Sequence, residues 1–317
     1  MTAALLGLVE ELPEPELAAL RDALPSGWIL AADEEVASFD ALLVRDGTID
    51  ATVLDAAPRL RRVVRIELGS GEVDERALGE RGISVESVAS PALFSVAEHA
   101  VMSMLVLLKR LRRVSDELRA GLVVGDVEPA VTTQESYAFN WTGLEHWEAL
   151  YGKTVGLVGI GQIGKHVARL VRAFGAEVIY TKPNPLSAEE ERELGVSYAP
   201  FPELLAGSHV VSLHNRFVPE TERMMDDGAF GLMRSGSFFV NTARGRLVDE
   251  DALVRALESG RLAGAALDVF WMEPLPTDSP LLSAPNVVLT PHTGGIPIAE
   301  SRVLELQDAA RRLPATS

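Results

Sequence analysis

The sequence predicts an α/β protein built as two globular units, each around a parallel sheet. Three observations carry this. The chain has 317 residues with 47% hydrophobic content, more than a single core usually serves. Short apolar runs alternate with helix-spaced segments along most of the length, the pattern of βαβ units. The alternation is interrupted once, after a long apolar helix pattern, by a polar stretch at 121–153.

The elements follow in order. The apolar run at the N-terminus reads as a first strand: it lacks the basic n-region of a secretory signal and turns acidic by Glu10. WILAA (28–32), DALLVRD (40–46), RRVVRIEL (61–68) and GISVESV (82–88) are further strands, separated by helix-like spacing with acidic starts at Glu14, Asp50 and Asp74. SVAEHAVMSMLVLLKRLRRVSDELRA (95–120) reads as one connecting helix between the units. The following stretch holds Tyr137, Phe139, Trp141 and Trp147, and a long aromatic loop packs on something. From Lys153 the alternation resumes as TVGLVGI, a helix from Ile163 to Phe174, EVIYT, a helix after Ser187, HVVSLHN, a helix near 226–233, SFFVNTA, a helix at 249–259, GAALDVF and NVVLTPH. That set is enough for a complete doubly wound sheet, and a helix closes the chain.

Composition narrows the function. The formal net charge is −17, and no basic run offers the clustered Lys and Arg that nucleic acid or an anionic membrane requires. No uninterrupted apolar stretch of about 20 residues is present. With no cysteine, disulfides, thiolate nucleophiles and Cys-ligated metals are excluded, and no metal site is expected. A reducing, cytoplasmic setting fits this composition.

GLVGIGQIG places Gly159, Gly161 and Gly164 as G-x-G-x-x-G between an apolar strand and an apolar helix. The first glycine permits the tight turn, the second lets backbone approach a pyrophosphate, and the third lets helix pack on strand. Strand, fingerprint and helix in that order point to dinucleotide binding. The next strand ends in VIYTKPNP, where an acid would accept from the adenosine ribose hydroxyls, yet Lys182 stands there. A cation pairs with a 2′-phosphate instead. Arg216, just after the following strand, is a second cation facing the same crevice, so NADP is favoured over NAD.

Arg244, Glu273 and His292 each follow an apolar run directly, the position of ligand-facing residues in an open α/β sheet. Reduction of a carbonyl beside a carboxylate needs an anchor for that carboxylate, a proton donor, and a group that keeps the donor protonated. Arginine, histidine and a neighbouring carboxylate supply these in turn.

The ordered strings APRLRRV, LGSG, SVAEHA, GKTVGLVGIGQIGKHVA, FVNTARGRLVDEDALVRALESGRLAGAALDVF, EPLP and PNVVLTPHTGG make the chain resemble the D-isomer-specific 2-hydroxyacid dehydrogenases, of the glyoxylate/hydroxypyruvate reductase type. The resemblance implies a flavodoxin-like substrate-binding lobe, 1–98 plus 292–317, and a Rossmann doubly wound nucleotide-binding lobe, 99–291, with a dimerisation loop at about 121–152 and a homodimer. It implies NADP or NAD as cofactor and a small 2-oxo acid or D-2-hydroxy acid as substrate. Arg244 would bind the carboxylate and polarise the carbonyl, Glu273 would pair with His292, and His292 would be the general acid/base. Gly159, Gly161, Gln162, Ile163, Gly164, Lys182, His214, Arg216, Thr221, Thr242, Ala243 and Asp268 would line the cofactor, with Asp268 on the nicotinamide carboxamide. Ser70 and Gly71 would take the substrate carboxylate, and Trp141 would reach the substrate. His99 would be an interdomain packing residue. The chain departs from the family pattern in the shorter LGSGEVD loop, in Ser87, in Lys182 and in Arg216. A nucleotide-sensing corepressor-like protein on the same fold is the alternative reading.

Overall fold

Strand-forming runs separated by capped helices become two main parallel sheets and one short strand pair in a computed structural model, which describes residues 3–31, 35–67, 72–295 and 298–315. Contacts divide the chain into two units, Met1–Ser95 with Gly295–Ser317, and Val96–Gly294. The first crossing falls three residues before the boundary read from sequence, the second three residues after it.

The first unit comprises β1 (Ala4–Leu8), α1 (Glu14–Ala23), β2 (Trp28–Leu30), β3 (Ala41–Val44), β4 (Thr48–Ile49), α2 (Ala51–Ala56), β5 (Arg62–Ile66), β6 (Glu72–Val73), α3 (Glu75–Glu80) and β7 (Ser84–Val88). Its main sheet runs β2-β1-β3-β5-β7, all parallel, which is the flavodoxin-like order. Two of the three acids that signalled helix starts act as caps: Asp50 accepts from the N–H groups of Thr52 and Val53, and Asp74 from that of Ala77, whereas Glu14 lies in the first turn of α1 behind Pro13. The short β4 and β6 pair separately, a detail the alternation did not predict.

Between the units runs α4 (Pro91–Leu108), followed by α5 (Leu111–Arg119). The single connecting helix expected over 95–120 is therefore corrected: it begins earlier and breaks at Arg110, whose φ is 49°. The cause is tertiary. The Leu108 carbonyl accepts from the N–H of Glu148, Arg110 Nε donates to the His146 carbonyl, and Arg112 donates to the Val287 carbonyl. No glycine or proline marks the break, so periodicity runs straight through it. By length and composition α4 is also apolar enough to cross a membrane, but Ala97, Ala100, Met104 and Leu108 lie in the core of the second unit.

The second unit continues with β8 (Thr154–Val158), α6 (Gln162–Ala173), β9 (Glu177–Thr181), α7 (Ala188–Leu194), β10 (Ser197–Tyr198), α8 (Phe201–Gly207), β11 (Val210–Leu213), α9 (Asp227–Leu232), β12 (Ser237–Asn241), α10 (Glu250–Glu258), β13 (Leu262–Leu267) and β14 (Val287–Leu289). The chain's last helix, α11 (Ile298–Arg311), packs on α1 in the first unit. There Glu305, 1% exposed, accepts from Ser301 and Ser90 and lies 3.4 Å from Arg45.

The seven parallel strands of the second unit run β10-β9-β8-β11-β12-β13-β14. The central strands β8, β11, β12 and β13 are buried on both faces. Along β12, Phe239 enters the core with Phe230 and Leu253, while Phe238 and Val240 enter the opposite core with Leu157 and Val167, as a period of two requires. Each such side chain contributes about 1.5–3 kcal/mol by leaving water, and Phe230 and Phe239 meet edge to face at 5.3 Å. Chain direction across the sheet reverses between β8 and β11, which places the ligand crevice outside the carboxyl ends of those two strands.

Candidate active site

The glycine turn sits at that reversal. Gly159 has a φ of 91°, and a Cβ there would lie 2.7 Å from the N of Asn215 and 2.8 Å from the C of His214, so β8 and β11 approach too closely for a side chain. Gly164 is equally constrained, because its Cβ would meet the Gly159 carbonyl oxygen at 2.8 Å. Gly161 differs: it caps α6 and nothing lies within 4 Å of its Cβ position. The turn thus closes on both sides and opens at the helix N-terminus, where a pyrophosphate would meet the N–H groups of the first helical turn.

Beside this opening lies a cavity of about 360 Å³ whose walls include Gly161, Gln162, Lys165, Lys182, Asn184 and Glu190. Lys182 has no hydrogen bond or ion pair among the described residues. Arg216, which the sequence places at the same crevice, is exposed and is not among the residues lining this cavity; its carbonyl accepts from the Asn215 amide and the Thr221 hydroxyl. Thr221 spends its hydroxyl on closing that loop. Ile163 packs into the core under the turn. His214 bonds Ser212 Oγ at 2.9 Å, and desolvation pushes its imidazole down to about 4, so it stays neutral near neutral pH. Ala243 N–H donates to Asn241. Two buried polar atoms in this region lack partners, Thr242 Oγ1 and Asn215 Oδ1. Orphaned acceptors at the ends of β11 and β12, an open glycine turn and an unpaired cation form a set that a dinucleotide fits.

The three charged residues follow β12, β13 and β14 as expected. His292 Nδ1 lies 2.7 Å from Glu273 Oε2, and the other oxygen, Oε1, accepts from Phe270 N–H at 3.0 Å. Desolvation raises the Glu273 carboxyl, but the hydrogen bonds from His292 and Phe270 outweigh it and hold the group below the ordinary carboxylate range. His292 itself has a φ of 55°, the left-handed region that a non-glycine residue occupies only when its surroundings impose it. Asp268, 3% exposed, imposes it: its oxygens accept from Thr290 Oγ1 at 2.6 Å, Thr293 N–H at 2.9 Å and Gly294 N–H at 2.8 Å. His99 donates to or accepts from Thr290 Oγ1 at 3.0 Å and stands 3.6 Å from Asp268. The expectation of an interdomain packing role for His99 is corrected to a place in this loop network, within the second unit.

Arg244 is exposed, and one of its guanidinium nitrogens donates to the Ala243 carbonyl at 2.6 Å. Its turn is locked to the Glu273 segment by Gly245, where a Cβ would overlap the Phe270 backbone at 1.9 Å. Trp271 N–H donates to Glu250 at 2.7 Å, and the Trp271 ring lies under Arg223 and Arg246 at 4.8 and 5.4 Å. Burial raises the Glu250 carboxyl.

The structure therefore brings Glu273 and His292 together, packs the Arg244 turn on the same segment, and sets Lys182 beside Gly161 and Gln162. Ser70 and Gly71 lie outside the described residues. Trp141 joins none of the three charged residues by a hydrogen bond; its carbonyl accepts from Val124. Sequence reasoning missed Lys165, Glu190 and Gly245. The signal for Gly245 was the unbroken ARG string; for the other two there was none, since both look like ordinary surface charges on helices.

The family model described as D-isomer specific 2-hydroxyacid dehydrogenase, NAD binding domain, matches residues 101–294. A D-3-phosphoglycerate dehydrogenase of Mycobacterium leprae is 38% identical over 90% of this chain and 52% of its own length. A glyoxylate reductase of Korarchaeum cryptofilum is 36% identical over 82% of this chain and 74% of its own. Among solved structures, a glyoxylate reductase from Paecilomyes thermophila superposes with a TM-score of 0.61 at 28% identity, covering 98% of this chain and 94% of that one. The chain spans about half the length of the phosphoglycerate dehydrogenase relative. With the model matching more than half of the chain and its glycine turn, buried Asp268 and His292–Glu273 pair all inside the matched span, the chain belongs to the D-isomer specific 2-hydroxyacid dehydrogenase family.

Proposed function

We propose that the protein is an NAD(P)-dependent oxidoreductase that interconverts a small 2-oxo acid and the corresponding D-2-hydroxy acid, with NADP preferred over NAD. The observation that carries this reading is the 2.7 Å contact between His292 and Glu273 on a segment against which the Arg244 turn is packed. When bound, the nicotinamide cofactor supplies or accepts the hydride. The chain's own residues do the rest. Arg244 has guanidinium N–H groups beyond the one given to Ala243, and these pair with a carboxylate and polarise the adjacent carbonyl. His292 gives its proton from the ring nitrogen not held by Glu273 as the carbonyl oxygen becomes a hydroxyl, and takes it back in the reverse direction. Glu273, ionised, fixes the ring's orientation and stabilises the protonated imidazole.

The NADP preference is supported by Lys182 in the cavity beside Gly161 and by the absence of an acid at the end of β9. A homodimer through the loop at 121–152 is part of the same reading, supported by its exposed apolar side chains: Val131 is 94%, Phe139 75% and Tyr137 64% exposed. Sedimentation at micromolar concentration tests this, and a monomer refutes it. The test of the activity is a panel of glyoxylate, hydroxypyruvate and 3-phosphohydroxypyruvate with NADPH and NADH. Reduction of an unphosphorylated member with either cofactor supports the reading, and no turnover of any member overturns it.

A further inference from the structure

The strand-end acid is missing, yet an acid still reaches the adenosine cavity from a different element. Glu190 lies in the first turn of α7, and its two oxygens are both committed. Oε2 accepts from the N–H and the hydroxyl of Ser187 at 3.1 and 3.2 Å, completing a capping box, and Oε1 accepts from Lys165 Nζ at 2.9 Å. Four side chains of different charge therefore meet around one opening: Lys182 unpaired, Lys165 paired, Glu190 fixed, and Gln162 neutral. The Lys165 and Ser187 hydrogen bonds hold the Glu190 carboxyl down to about 2, so its charge persists throughout the working range.

We propose that Glu190 sets the cofactor ratio, as a fixed carboxylate that opposes a 2′-phosphate while Lys165, its counter-ion, limits that opposition. This rests on the adenosine-cavity reading above. The carboxylate cannot swing away from a phosphate without giving up the cap, so repulsion is felt in the bound state rather than relaxed. Across a solvent-open cavity one fixed charge changes the affinity of a phosphate by about threefold to tenfold. The protein is thereby held nearer to dual use of NADP and NAD than Lys182 alone would make it.

The test is direct binding, by titration calorimetry of NADPH and NADH on the full chain. Glu190→Gln keeps one amide oxygen for the Ser187 cap, gives up the acceptor that faced Lys165 and removes the charge. It is expected to tighten NADPH by about threefold to tenfold, with the gain shrinking at high salt, and to leave NADH within about twofold. Lys165→Met, which leaves Glu190 unscreened, is expected to weaken NADPH and spare NADH. A Glu190→Gln protein whose NADPH and NADH affinities keep the wild-type ratio overturns the proposal. If wild type prefers NADH and Lys182→Ala leaves that preference unchanged, the NADP reading fails separately, and the shift in ratio on Glu190→Gln still decides this one.

Discussion

Replacing Glu273 by Gln tests the proton-donor assignment without emptying the site. Gln keeps one oxygen for Phe270 N–H but turns an amide NH2 toward His292 Nδ1, so what disappears is one negative charge and one acceptor beside a ring 2.7 Å away. Two unit charges about 4 Å apart interact by about 1 kcal/mol in water and about 4 kcal/mol at an effective dielectric near 20. The His292 and Glu273 side chains are 52% and 37% exposed, so the value belongs near the low end, about 1–1.5 kcal/mol. A factor of ten in rate corresponds to about 1.4 kcal/mol. Near neutral pH kcat/KM for 2-oxo acid reduction is therefore expected to fall by about tenfold. At low pH the difference shrinks. Glu273 is depressed in the folded protein, so its contribution is complete above the unfolded carboxylate value near 4.3 and is lost as pH falls through the folded value. Wild type and variant should converge there. The assay is initial-rate reduction across the pH range at saturating cofactor. A variant whose kcat/KM near neutral pH stays at the wild-type value, or whose deficit persists unchanged at low pH, would refute the argument, because it would make Glu273 a packing group rather than a carboxylate that stabilises the protonated imidazole.

Three further perturbations separate the parts of the site. His292→Ala should lower kcat by about 10²- to 10⁴-fold while leaving the dissociation constant of the cofactor nearly unchanged by fluorescence titration; retained kcat refutes the general-acid role. Lys182→Asp should raise KM for NADPH and lower it for NADH, each by about tenfold, since about 1.4 kcal/mol accompanies a charge-assisted contact at an exposed position; cofactor kinetics showing no exchange of preference count against the cation's role. Gly245→Ala must displace the Phe270 backbone, because its Cβ would sit 1.9 Å from that carbonyl; a cost of about 2 kcal/mol and a Tm lower by roughly 4–8 °C are expected by calorimetry, with an unshifted Tm as the contrary result.

Much of the second unit was legible because its signals are local. Gly159 and Gly164 are required by backbone approach within a few residues of the strand that carries them, and acids such as Asp249 cap the helices they precede. Arg244, Glu273 and His292 were legible for a different reason: in an open parallel sheet the carboxyl ends of strands are where ligands bind, so position alone selects them. What was hidden depends on distant partners. The break at Arg110 is made by Glu148, His146 and Val287, none of which is near in sequence. Glu190 and Lys165 are separated by 25 residues and meet only because α6 and α7 flank the same opening. A helical acid with no periodic or motif signature cannot be distinguished from a solvated one until its partner is placed.

The buried Asp268 shows how such placement changes a residue's meaning. The resemblance assigns it to the cofactor, and its carboxylate stands at the end of β13 where that assignment makes sense. In the folded chain, however, both oxygens are already engaged by Thr290, Thr293 and Gly294. A carboxylate at 3% exposure is costly unless its lone pairs are met, and here the donors that meet them are the residues on either side of His292. Gly294 has to be glycine for this, since a Cβ would come within 2.8 Å of Asp268 Oδ2. The left-handed backbone at His292 costs on the order of 1–3 kcal/mol, and three hydrogen bonds to one buried anion offset it, each at about 1.5–3 kcal/mol for a charged acceptor. The ring is then carried to Glu273 by a backbone that has one shape. Asp268 thus fixes the loop that holds His292, the proton donor of the proposed reaction, whatever further contact its carboxylate makes with a bound cofactor.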